Sequence, residues 1–311
     1  MTMNQAPKLI LAPIRGITDS LFRNAFTRYF SGFDLAVAPF VTTMQGKRRK
    51  QLKDLVPEKN QNLPVVPQIL SKNPDHFREL VASLSLMGYK EVNWNLGCPY
   101  PMVANKGRGS GMLPFPDRIE KFLAEIKGID LKLSIKTRLG YFQAAEVMEL
   151  IDIFNDYPLT ELIIHPRTGK QMYKGEVDLE MFGRCLKLSR HPVIYNGDIV
   201  GQDDFTRLAG RFSRVSGWMI GRGALADPFL PARIKNLPLP KDPKAQLRLF
   251  HDEIFSAYQE ILFGPGHILG RMKGLWFYLS NSFNESGKLL KKIQKCKTMR
   301  QYNLIIEQLF E

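Results

Sequence analysis

Eight short apolar runs of strand length recur between Lys8 and Ile220, and helix-length amphipathic stretches lie between them. The runs are Lys8 to Ala12, Asp34 to Ala38, Val65 to Ile69, Glu91 to Asn95, Lys132 to Thr137, Glu161 to His165, Val193 to Asn196 and Gly217 to Ile220. Helix candidates are Asp19 to Tyr29, capped by Thr18 or Asp19; Asp75 to Met87, after Asn73-Pro74; Pro116 to Ile126; Ala144 to Phe154; Leu179 to Leu188; and Asp203 to Arg211. Parallel strands need a crossover connection, and a helix is what fills it. Eight such units predict a closed parallel α/β barrel, the (β/α)8 TIM barrel, which takes up about 250 residues. A chain of 311 residues holds one such barrel and a small appendage.

The texture changes after Pro231-Ala232-Arg233. Residues 237–243, Leu-Pro-Leu-Pro-Lys-Asp-Pro, read as a semi-rigid linker between a barrel over 1–236 and a small all-helical domain over 244–311. Helical periodicity runs through Leu247 to Leu262, Ile268 to Phe283 and Met299 to Phe310. This part carries Arg271, Lys273, Lys288, Lys291, Lys292, Lys295, Lys297 and Arg300, interleaved with Trp276, Phe277, Tyr278 and Tyr302. The cations suit a phosphate backbone, and most of the aromatics are expected to fill the bundle core. A second basic run, Lys47 to Lys53, follows the second strand on the rim side.

Charge narrows the function. Against 30 Asp and Glu stand 44 Lys and Arg, a formal +14, which points to a polyanionic partner, most plausibly nucleic acid; the alternative is a generally basic, solvated surface. Cys98, Cys185 and Cys296 form no C-x-x-C pair, so neither a disulfide framework nor a zinc site is supported, and five scattered histidines add no metal signature. No apolar run approaches the ~18 residues that span a bilayer, and the amino terminus lacks a signal-peptide pattern. The expectation is a cytoplasmic protein with no membrane and no metal.

The densest chemistry lies in Glu91-Val-Asn-Trp-Asn-Leu-Gly-Cys-Pro-Tyr-Pro and the following Asn105-Lys-Gly-Arg-Gly-Ser-Gly-Met-Leu. A strand empties there into a thiol and then a glycine-rich basic loop, read as mobile and anion-facing, with Arg108 just above Cys98. The plain alternative is a tight turn around an inert, buried cysteine. Polar residues also follow the other strands: Pro13 and Arg15, Phe40, Gln68, Asn95, Lys136 and Arg138, His165 and Arg167, Asn196 to Asp198, and Gly221 to Arg222. Singly, Gln68 could cap a turn, His165 could bond within the core and Lys136 could snorkel. Jointly they share one rim, and core packing does not require polar groups at the same end of so many strands. The loops after the last two strands, Asn196-Gly197-Asp198 and Gly221-Arg222-Gly223, have the composition of a phosphate cradle, so a phosphorylated cofactor is expected there.

Taken together, these motifs give a resemblance. The segments from Leu11 (L-A-P-I-R-G-I-T-D-S-L-F-R), Asn95 (N-L-G-C-P), Ser134 (S-I-K-T-R-L-G), His165 (H-P-R-T-G-K-Q-M-Y-K-G), Tyr195 (Y-N-G-D-I) and Trp218 (W-M-I-G-R-G-A-L-A-D-P-F-L) cover essentially the whole barrel. In that order they resemble the flavin-dependent tRNA-dihydrouridine synthases of bacteria, with the C-type subfamily as the candidate subgroup. The segment from Gly270 resembles that family's helical RNA-binding domain more loosely.

The resemblance implies reduction of the C5–C6 double bond of a uridine in tRNA, with FMN as cofactor and NADPH (or NADH) as reductant, by a monomeric enzyme. It implies that Cys98 protonates C5 while reduced flavin delivers hydride to C6. Ala12, Pro13 and Ile14 would floor the flavin ring, and Gln68, Lys136 and His165 would contact the ring or ribityl chain. Asn196, Gly197, Asp198, Gly221 and Arg222 would hold its phosphate. Asn95 and Arg138 would meet the uracil, while Arg167, Arg271, Lys273, Lys291 and Lys292 would meet the RNA. The sequence departs from the family pattern at Ile14-Arg15, at Pro166 and at Tyr100-Pro101. Those departures leave room for another structured RNA, such as rRNA, as target; a third reading is an FMN barrel oxidoreductase acting on a small molecule.

Overall fold

The computed structural model describes residues 6–42 and 52–311. Its strands are β1 Leu9–Leu11, β2 Leu35–Val37, β3 Val41–Thr42, β4 Val65–Val66, β5 Gln68–Leu70, β6 Glu91–Leu96, β7 Lys132–Gly140, β8 Leu159–Thr168, β9 Val193–Asn196 and β10 Gly217–Ile220. They are hydrogen-bonded in the order β3-β5-β6-β7-β8-β9-β10-β1-β2-β4, and each recorded pair is parallel. The third expected strand is divided into β4 and β5 because Pro67 has no N–H to give the ladder. β4 pairs with β2 and β5 with β6, while the Pro67 carbonyl accepts the Asn93 N–H at 2.8 Å. One broken strand therefore joins both ends of the order and closes the ring. β3 is an addition at the rim, setting Val41 beside Ile69 and Thr42 beside Leu70.

β7 and β8 run beyond their expected ends at Thr137 and His165, with Arg138 opposite His165 and Gly140 opposite Thr168. Charged residues there hide the strand character, and a side chain supplies the hold: Arg138 Nη1 donates to the Thr168 carbonyl at 2.8 Å. Alternation sorts the core into two layers. Leu9 and Leu11 belong to the large cluster shared with the surrounding helices. Ile10 and Ala12 join Val37, Ile163, Ile194 and Met219 inside the barrel. Where β5, β6 and β7 line the interior, the filling is polar instead, with Gln68, Asn93, Asn95 and Ser134 all buried.

The helices follow the sequence signals closely. Asp19 caps Ser20–Tyr29 by accepting the Phe22 N–H at 3.1 Å, and Asn73 caps Pro74–Leu86 by accepting the His76 N–H at 2.9 Å. After β10 the described residues hold no strand. The last long helices are Pro243–Ile261, Pro265–Leu279, Ser286–Lys295 and Met299–Phe310. Ser286–Lys295 goes unforeseen because its buried stripe is only Leu289 and Ile293 on an otherwise lysine-rich segment.

Phe250 of Pro243–Ile261 packs on the barrel helix Ser20–Tyr29, with T-shaped contacts to Phe22 at 5.7 Å and Phe26 at 6.2 Å. Trp276 and Tyr302 are fully buried among these helices, the indole N–H donating to the phenol oxygen at 2.8 Å. The expected basic run from Lys47 lies outside the described residues except for its last two positions, Leu52 and Lys53. Among the described residues no helix is long and apolar enough to cross a membrane, and no group of acidic, histidine or cysteine side chains could hold a metal ion.

Candidate active site

A cavity of about 440 Å³ opens at the carboxyl ends of the barrel strands. Its wall includes Ala12, Pro13, Ile14, Gln68, Asn95, Cys98, Lys136, Arg138, His165, Asn196, Gly197, Asp198, Gly221 and Arg222, which the sequence distributes over seven separate strand ends and the loops that follow them. Arg167 lies one layer behind, facing an adjoining groove instead.

The buried amides form a chain with a fixed direction. Val92 offers a carbonyl, which only accepts, and Ser134 Oγ donates to it at 3.3 Å. Asn93 Nδ2 donates to Ser134 Oγ at 3.0 Å, Gln68 Nε2 to Asn93 Oδ1 at 2.7 Å, and Asn95 Nδ2 to Gln68 Oε1 at 2.7 Å. At the far end Asn95 Oδ1 accepts the N–H groups of Gly97 and Cys98 at 3.1 and 2.9 Å, and these can only donate. Both ends being backbone groups of opposite role, each amide between them has one permitted orientation. The turn carrying the thiol is thereby fastened to the barrel interior.

The chain after Cys98 folds back over it. Ser110 donates from both N and Oγ to the Cys98 carbonyl, at 3.1 and 3.0 Å. Gly109, at φ +57°, lies so close that a Cβ there would stand 2.7 Å from the same oxygen. Only glycine meets both conditions. Burial pushes the Cys98 thiol up, outweighing the hydrogen bond from the Tyr100 backbone and the pull of Arg138, Arg15 and Lys136. The group therefore stays a thiol at neutral pH, the form that carries a proton to give.

Facing it is a wall of positive charge. Burial, helped by the neighbouring Arg138, lowers Lys136 to about 7, and among the described residues no carboxylate pairs with its ammonium. Arg138 is held by the Gly97 carbonyl at 3.0 Å and by Thr168. His165 is driven well below its ordinary value, first by burial and then by Arg138, Lys136, Arg167 and Arg222, so its ring is neutral. Arg167 Nη1 lies 3.2 Å from His165 Nε2; a guanidinium only donates, so Nε2 accepts and the proton sits on Nδ1. Asp198, at φ +40°, is the one carboxylate of the wall among the described residues and is already engaged by Arg167 and by Arg222 Nη2 at 2.8 Å. The remaining excess of positive charge leaves the cavity suited to an anionic ligand.

Three contributors escape the sequence reading. Tyr173 closes one side under Arg138 and Arg222, whose guanidinium carbons lie 5.2 and 5.0 Å from its ring centre. Phe277 and Tyr278, expected in the bundle core, line the cavity mouth instead. Trp276 and Tyr302 do fill that core: Trp276 lies on the buried stripe of helix Pro265–Leu279 with Met272, Leu275 and Leu279, Phe277 and Tyr278 are turned off that stripe by the 3.6-residue period, and Tyr302 is buried on Met299–Phe310. Nothing in composition separates these four aromatics; only the packing of those helices does.

The basic residues of the helical part divide likewise. Arg271 donates to the Gly16 carbonyl at 2.5 Å and stands 3.8 Å from Asp19, and Lys273 donates to the Cys296 carbonyl at 2.6 Å, so both are spent within the protein. Lys291 and Lys292 are exposed, off the buried stripe of Leu289 and Ile293.

The family model for dihydrouridine synthase matches residues 10–305. A probable tRNA-dihydrouridine synthase of Staphylococcus aureus is 30% identical over 263 residues, covering 82% of this chain and 79% of that protein. Probable tRNA-dihydrouridine synthase 2 of Bacillus subtilis is 30% identical over 234 residues, covering 72% and 70%. Among solved structures, histamine dehydrogenase from Rhizobium sp. 4-9 superposes with a TM-score of 0.57 at 11% identity, over 81% of this chain and half of that one. The old yellow enzyme homologue from Zymomonas mobilis gives 0.56 at 9%, over 77% and 91%. Those two likenesses show the fold alone. With the family match running from the first strand into the last helix, the chain belongs to the dihydrouridine synthase family, and its chemistry is that of an oxidoreductase.

Proposed function

We propose that this protein reduces the C5–C6 double bond of a uridine in tRNA, using FMN with NADPH as electron source. The observation that carries the reading is the confrontation of a thiol kept protonated by burial with an ammonium that has no carboxylate partner among the described residues, across one cavity. FMN suits that cavity: its volume lies in the usual ligand range of roughly 300–1,000 Å³, and its excess positive charge needs an anion. Ala12, Pro13 and Ile14 would lie under the ring, with Gln68, Lys136 and the His165 Nδ1–H along its polar edge. The phosphate would take Arg222 and the backbone N–H groups around Gly197 and Gly221, since the Asn196 amide is spent on the Met219 carbonyl at 2.9 Å and Asp198 is held by arginines. When bound, reduced flavin supplies the hydride for C6.

Cys98 holds the proton for C5. Arg138, Asn95 and Tyr173 would orient the uracil, and Tyr278 and Phe277 narrow the mouth against water. Exposed Lys288, Lys291, Lys292, Lys295 and Lys297 give the helical part an RNA-facing charge. The test is to incubate the holoenzyme and NADPH with tRNA from cells lacking this protein and to count dihydrouridine. One new dihydrouridine position supports the reading. Steady NADPH consumption on small enones, with RNA untouched, would instead identify a small-molecule flavin oxidoreductase.

A further inference from the structure

The glycine-rich segment after Cys98 does more than fasten the thiol. Gly107 (φ +63°) and Gly109 (φ +57°) both adopt left-handed backbone, so the chain turns twice within three residues, with Arg108 between the bends and Lys106 just before the first. A Cβ at Gly109 would lie 3.0 Å from the Cys98 Cβ. With consecutive Cα atoms 3.8 Å apart, the Arg108 Cα is therefore within roughly 8 Å of the Cys98 side chain. Lys72, on the loop leaving β5, reaches the same place, its Nζ 3.9 Å from where a Gly107 Cβ would stand.

Lys72 and Lys106 are exposed and Arg108 is half-buried. Among the described residues no carboxylate pairs with any of the three, and Arg108 Nε is buried without a hydrogen-bond acceptor. A buried donor left unpaired is costly, and like charges gathered without a counter-charge oppose one another. Both costs are relieved by an anion from outside. The flavin phosphate does not fill this role, because the loops that would cradle it follow β9 and β10, on another part of the ring from β5 and β6.

We propose that Lys72, Lys106 and Arg108 form a phosphodiester subsite that grips the RNA backbone beside the reacting nucleotide. The proposal rests on the dihydrouridine reading and gives that reading a second anchor, next to the thiol and away from the lysine-rich helix. Tyr100 and Met102, exposed on the same segment at 52% and 74%, offer a flanking base an apolar surface. A grip there limits how deeply the extruded base can enter, and helps offset the few kcal/mol that unstacking requires.

The test measures binding of an unmodified tRNA transcript to the holoenzyme across a salt series, for the wild type, Lys72→Glu/Lys106→Glu, Arg108→Gln and Arg108→Lys. Flavin absorbance and melting temperature serve as the fold control, and the two exposed lysines keep the experiment informative should Arg108→Gln fold poorly. The double variant and Arg108→Gln are expected to raise Kd about 10- to 100-fold and to lower the slope of log Kd against log salt by about 1 to 2. Arg108→Lys restores most of the affinity.

Slopes equal to wild type in well-folded variants overturn the subsite while leaving the functional reading intact. Inorganic phosphate that protects the wild type but not the variants from heating, with tRNA binding equal in both, assigns the cluster to free phosphate and likewise overturns it. A wild type that neither binds nor reduces tRNA overturns the functional reading and the subsite together.

Discussion

At the residue scale the decisive group is Lys136. Its ammonium is destabilised by burial and by Arg138, which together bring its pKa to about 7. An anionic ligand favours the charged form, so the pKa rises on binding. Affinity for FMN should therefore be level below about pH 7 and fall as pH climbs through that value toward the raised pKa of the complex. Fluorescence titration of FMN into the flavin-free protein over a pH series checks the sign. Lys136→Met should bind more weakly and lose the pH dependence; an unchanged profile would show that Lys136 is not the group responsible. Cys98, Lys136 and His165 were legible as cavity residues because each carries its chemistry in its own side chain at or near the end of an apolar run. Tyr173 was not, since a tyrosine in a loop announces nothing until Arg138 and Arg222 are seen against its ring. The direction of the Asn93–Gln68–Asn95 chain was equally hidden, because it depends on which backbone groups stand at its ends.

At the scale of elements, barrel closure depends on one run that Pro67 divides between two neighbours, and the Cys98 turn depends on a glycine. Gly109→Ala combines a left-handed backbone with a Cβ pressed on the Cys98 carbonyl. Overpacking of that kind costs about 1–3 kcal/mol, which the barrel can absorb. The variant should keep its flavin spectrum and reduce RNA at least tenfold more slowly, a change of about 1.4 kcal/mol in the barrier. Wild-type turnover would mean the loop does not set the thiol's position. Strand and helix order could be read from apolar periodicity, whereas the ends of β7 and β8 could not. There the pairing continues through Arg138 and Arg167, whose charge argues against a strand until their partners Thr168 and Asp198 are in view.

At the scale of the whole molecule, the helical part is built into the barrel rather than tethered to it. Phe250 packs on Phe22 and Phe26, Arg271 reaches Gly16 and Asp19, and Phe277 and Tyr278 reach the cavity. The linker composition and the basic charge could be read in advance, but not this interlock, which arises from pairs of residues more than two hundred positions apart. Removing residues 244–311 should uncover the aromatic surface of Ser20–Tyr29 and yield an aggregation-prone barrel; light scattering checks it, and a soluble, stable, fully active truncation would contradict it. Arg271→Ala is the milder probe, expected to lower the melting temperature by a few degrees, in line with roughly 1 kcal/mol for a part-exposed contact.

The most direct measurement compares dihydrouridine formation in tRNA by the NADPH-reduced wild type and by Cys98→Ala at matched flavin content. The account predicts that both variants are yellow and bind tRNA, and that loss of the thiol slows the reaction by about 10²- to 10⁴-fold, the usual worth of a positioned proton donor. Equal rates from the two proteins, or a wild type that takes up no flavin, would contradict it.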